Sequence, residues 1–211
     1  MHEISSFHDL GAAERLALVY ASGAVKACFM ALLMVDAHLR GIAVVPREAM
    51  LTQVRLAWWR EALSSPSSPA TNAHPVLRAA VSAFGERKSI LVALVDAWEA
   101  VAVGEERGDA LTALASARAA LCSAIAPAAR REAVQAHCAV WSEASALQIG
   151  KNARNAHPNL KATRLPSLPR ELRPLAVLAG LARRSLLRGD GEFLGDRLSP
   201  LAAIRLGIFG R

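Results

Sequence analysis

A concentration of cations, Lys151, Arg154, Lys161, Arg164 and Arg170, occupies one stretch of the chain. Guanidinium and ammonium groups at this density supply the charged donors that hold a phosphate or diphosphate. Gln148 adds an amide at the head of the stretch, and Asn155 and Asn159, four positions apart, share one face of a helix. Pro158 lies between the two asparagines and cannot sit comfortably inside a helix, so the pair is expected at a helix end. The bland alternative for these cations is a solvated face near a helix C-terminus, where positive charge is favoured in any case.

Acidic pairs elsewhere are few. Asp36 is followed four positions on by Arg40, which reads as an intrahelical ion pair worth a few tenths of a kcal/mol. Asp96 and Glu99, at i and i+3, are an acid/base or metal candidate whose ordinary reading is an ion-pairing helix surface. The six histidines form no zinc-type spacing, and no glycine-rich phosphate loop or Ser/His/Asp order stands out. Cys28, Cys122 and Cys138 lack metal-ligand spacing and read as buried small hydrophobes in a reducing compartment. A net charge of +7 and a pI of about 10.1 raise the question of nucleic acid. The basic residues are dispersed and no aromatic platform accompanies them, so an acidic protein surface or anionic headgroups fit better than nucleic acid.

These residues need a frame, and alanine and leucine supply it. Helix propensity is high almost throughout. Leu51, Val54 and Trp58 follow helical spacing, as do Leu91, Leu94, Val95 and Trp98, while sustained alternation is missing. The fold class is therefore all-α. Helices are expected over 10–22, 24–42, 47–63, 74–84, 88–103, 107–126, 128–153, 170–188 and 197–207. A chain of 211 residues is most simply one domain, 1–211, with loops near 64–73 and 157–169 and a loosely held, loop-rich C-terminal region, 189–211. Trp58 and Trp59 are adjacent, so one is expected in the core and the other against a neighbouring helix or a partner. The apolar run Ala27 to Val35 is too short to span a bilayer, and no secretory signal is apparent at the start. The expected location is cytoplasmic, with contact at the inner face of a membrane as an option.

Three stretches resemble the squalene/phytoene synthase family. Leu147, Gln148, Arg154 and then Arg164, Leu165 and Pro166 match a family motif of the form L-Q-x-x-N-x-x-R-D-x-x-x-D, with an arginine and Leu-Pro behind it, if about two residues are deleted. Lys151 stands at the motif's Asn, and Asn155 and Asn159 at its two aspartates. Asp36 and Arg40 lie where the family has its first D-x-x-x-D motif. Arg47 to Leu63 is similar to the R-E-P-M-x-x-x-x-R-L-x-W-W-R-E-A-L signature of a divergent branch that includes phytoene-synthase-like assembly factors of respiratory complex I. Arg173 to Arg184 resembles that branch's last signature helix.

The resemblance implies an antiparallel helical bundle of the isoprenoid synthase type, shortened at the C-terminus. It implies diphosphate contacts by Gln148, Lys151, Arg154 and Arg164. It also implies that both metal-binding motifs are degraded, at Asp36, Arg40, Asn155 and Asn159. No catalytic residue and no cofactor is expected on this reading. The leading function is then a non-catalytic interaction or assembly factor with an unnamed protein partner. One alternative is a prenyltransferase joining two farnesyl or geranylgeranyl diphosphates, which would need Mg²⁺ held by substitute ligands. Another is an isoprenoid- or lipid-binding protein without chemistry. Ionising an allylic diphosphate draws several kcal/mol of stabilisation from metal ions, so binding survives the loss of ligands more easily than turnover.

Overall fold

A computed structural model describes residues 7–44, 49–65, 74–104, 107–148 and 165–210. The regular elements among the described residues are all helices, without a strand. The helices are α1 (Ala12–Val19), α2 (Gly23–Val44), α3 (Ala49–Ser64), α4 (Pro75–Phe84), α5 (Val92–Val103), α6 (Arg107–Ile125), α7 (Arg131–Gln148), α8 (Arg173–Arg188) and α9 (Ser199–Phe209). Three of them, α4, α8 and α9, carry a proline in the first turn. There its missing N–H is one the helix would leave unsatisfied anyway. α8 stops at Gly189, whose φ of 76° is left-handed and whose N–H returns to the Ser185 carbonyl.

α2 is the central helix. It packs against α1, α3, α4, α5 and α6. Its inner side chains, among them Phe29, Leu32, Leu33 and Leu39, are fully buried. The apolar stretch is longer than the Ala27 to Val35 run: Val25–Val44, 20 residues of mean hydropathy 1.6, is long and apolar enough by length and composition to cross a membrane. Half of it is buried inside the bundle. From α6 onward successive helices pack on one another, α6 on α7, α7 on α8 and α8 on α9, and α1 closes against α8. One continuous apolar core, from Leu10 to Ala203, runs through the set.

Two expected boundaries shift for physical reasons. The segment Gly85–Leu91 is a 3₁₀ helix, and α5 begins only at Val92. Within it the buried Lys88 ammonium donates to the carbonyls of Ala62 and Ser65, at the C-terminal end of α3, where a cation is favoured. Arg170–Leu172 forms another 3₁₀ turn before α8. The C-terminal segment carries α9, whose Ala203 and Gly207 are buried. A side chain at Gly207 would meet the Tyr20 ring, so glycine is what allows α9 to approach α1. Ahead of α9, Asp196 accepts hydrogen bonds from Arg184 at 2.9 and 3.0 Å and from Arg188 at 2.6 Å, tying the loop to α8.

Candidate functional site

The motif positions meet where α2 faces α6 and the end of α7. Asp36 is buried at mid-helix on α2, its side chain 3% exposed, and Arg118 of α6 is 0% exposed beside it. Arg118 Nη2 donates to Asp36 Oδ2 at 2.8 Å and Arg118 Nε to Oδ1 at 3.0 Å, a bidentate pair. Trp98 Nε1 donates a third hydrogen bond to Oδ1 at 3.1 Å. The remaining guanidinium nitrogen, Nη1, donates to Ser142 Oγ at 3.0 Å and Ser145 Oγ at 3.3 Å on α7. Above the guanidinium plane lies Trp141, its ring centroid 3.8 Å from Arg118 Cζ. Two ions that would each be costly to bury alone are thus matched in charge and hydrogen bonding.

Arg40, one turn beyond Asp36, does not pair with it. Its Nη2 donates to Glu14 Oε1 of α1 at 2.9 Å, and its Nη1 lies 3.5 Å from Gln148 Oε1 at the last residue of α7. The expectation of an intrahelical Asp36–Arg40 ion pair is therefore corrected, because each charge finds a better-placed partner on another helix. Burial works against the Arg40 charge, but Glu14 and Asp36 more than offset it and raise its pKa. Of the predicted diphosphate contacts, Gln148 sits beside Arg40. Lys151, Arg154, Asn155, Asn159 and Arg164 lie outside the described residues.

This arrangement is a poor fit to Mg²⁺. Both Asp36 oxygens already accept hydrogen bonds, a guanidinium neutralises the carboxylate, and the position four residues on is itself a cation. Among the described residues no three His, Cys, Asp or Glu side chains gather into a metal-holding group. Asp96 and Glu99 both bind Arg60 of α3, with Arg60 Nε donating to Asp96 Oδ1 at 2.8 Å. They form the ion-pairing surface anticipated as their ordinary reading. Cys122 and Cys138 are buried; burial first, then contact with Cys122, pushes the Cys138 thiol well up, so it packs as a small hydrophobe.

Arg118, Ser142, Ser145, Trp98 and Glu14 escape motif reading. A usable signal existed for Arg118: it stands at i+4 from Leu114 and i−4 from Cys122, a core position occupied by a charge. Such a residue needs a buried counter-ion, and Asp36 was the acid flanked by the longest apolar run. The tryptophan expectation holds in geometry: Trp59 is buried and Trp58 is exposed, the rings meeting edge-on with centroids 5.6 Å apart. Comparison with protein-family models, with curated proteins and with solved structures finds no match to this chain.

Proposed function

We propose that this chain is a non-catalytic protein built on a squalene/phytoene-synthase-like helical frame, and that it works as an interaction or assembly factor. The observation that carries this reading is the Asp36–Arg118 pair. The surviving acid of the first motif is neutralised inside the core by a residue from a different helix. A carboxylate whose two oxygens are both taken by hydrogen bonds from Arg118 and Trp98 is withdrawn from metal chemistry. The amides at Asn155 and Asn159 point the same way for the second motif.

The interaction half of the reading rests on α3. Met50, Leu51, Val54 and Trp58 line one apolar stripe of that helix and range from 41% (Trp58) to 73% (Met50) exposed. Large apolar side chains grouped on a surface mark contact sites more often than scattered ones do. Tryptophan is also enriched among the residues that anchor interfaces. The test is the pair Leu51→Glu with Val54→Glu, both more than half exposed, compared with wild type in affinity purification from the protein's own cells. The folded double variant is expected to lose a partner that wild type retains. Equal recovery of every partner by the two proteins would overturn the assignment of α3 as the contact surface.

A further inference from the structure

Between α8 and α9 runs a cleft of about 760 Å³, within the range of small-molecule sites. Ala176 and Gly180 on α8 and Ala202 on α9 are among its lining residues, and Leu206 of α9 packs directly over Gly180. The α8 residues that line it extend from Ala176 to Leu187, roughly 16 Å of helix at the standard rise. None of the Asp36–Arg118 group lines it, so it is a separate place from the motif region.

The lining has two chemistries. Leu165, Leu187, Leu206 and Phe209 make one part apolar, and Leu187 and Phe209 are exposed at its edge. Arg183, Arg184 and Arg205 make the other part cationic, and among the described residues no acidic one lines the cleft. Asp196 accepts from both Arg184 and Arg188, and Arg188 also pairs with Asp190. Arg184 Nε is nevertheless buried without a hydrogen-bond partner. So is Nη1 of Arg173, whose guanidinium fills the space a side chain at Gly210 would need, and Gly210 lines the cleft. Buried donors left unmatched are costly, and an anionic oxygen is the acceptor that suits a guanidinium best. His137 adds no charge of its own: burial lowers its pKa, and its Nδ1 donates to the Ala133 carbonyl at 2.7 Å.

We infer that this cleft binds an amphiphile with a phosphate head, the head on Arg184 and Arg205 and an apolar chain along Leu165, Leu206 and Phe209. The inference is independent of the assembly-factor reading and stands or falls separately. Its test is calorimetric titration of the folded chain with dodecyl phosphate below its critical micelle concentration, with inorganic phosphate and dodecyl maltoside as comparisons. Saturable binding of dodecyl phosphate is expected, at least tenfold tighter than either comparison. Arg205→Glu, at an exposed site that does not threaten folding, and Ala202→Trp, which fills the cleft, should each weaken it at least tenfold. Flotation with phosphatidylglycerol or phosphatidylcholine vesicles separates the sources. Capture by phosphatidylglycerol alone, lost in both variants, identifies a membrane lipid, whereas no capture alongside dodecyl phosphate binding identifies a free amphiphile. No saturable dodecyl phosphate binding, equal binding by inorganic phosphate, or unchanged binding in both folded variants would overturn the inference.

Discussion

At the scale of single residues, the pair that decides the functional reading also makes the sharpest stability prediction. Asp36→Ala removes the counter-ion of a guanidinium that is 0% exposed. Denaturant titration should show a loss of about 3–5 kcal/mol, the usual consequence of leaving one member of a buried pair alone. Replacing both partners, Asp36→Leu with Arg118→Met, should recover most of that loss. A loss below about 1 kcal/mol for Asp36→Ala would show the charge is not confined as described. His38 gives a second residue-scale test. Burial, then the neighbouring His74 and Arg55, lower its pKa from 6.5 to about 4. The unfolded chain takes up this proton near pH 6.5 and the folded chain only near 4, so stability is complete above that window and falls as pH falls through it. Between pH 7 and 4.5, wild type should lose on the order of 1–3 kcal/mol more than His38→Gln. Equal pH dependence of the two would contradict the assignment. The buried His137, shifted in the same direction, leaves a residual pH dependence in both proteins.

Elements were the most legible level of the sequence. Alanine- and leucine-rich helices at apolar spacing come out as helices because burial of one face and local propensity agree. The disagreements sit where a long-range contact intervenes. Lys88 reaching the end of α3 accompanies a 3₁₀ turn where an α-helix was expected to begin at residue 88. Arg118 could be located as an anomaly, but local spacing does not register the pairing itself, which joins residues 82 positions apart. Two glycines separate packing from propensity at this scale. Gly207→Ala would drive a methyl group into the Tyr20 ring and should cost about 1–3 kcal/mol, loosening α9 from α1. Gly41→Ala, on the exposed side of α2 with open space around it, should stabilise by roughly 0.5–1 kcal/mol. Thermal melts of the two variants check both signs, and a neutral Gly207→Ala would mean the α1–α9 approach is not tight.

For the whole molecule, a helical bundle and a basic surface were readable from composition, whereas the division of labour among the cations was not. Arg118, Arg40 and Lys88 are structural, each occupied by a buried or half-buried acceptor. Arg184 and Arg205 border a cleft that no motif announced, because it is assembled from residues of α7, α8, α9 and the segment before α8. The central claim is that the frame has been kept while metal-dependent turnover has been lost. The most direct measurement is diphosphate release and hydrocarbon product from farnesyl and geranylgeranyl diphosphate, with Mg²⁺ and the folded protein at high concentration. The account predicts no release above a protein-free control. Release that requires Mg²⁺ and disappears in Asp36→Asn would contradict it, since Asp36 would then be a metal ligand and not the counter-ion of Arg118.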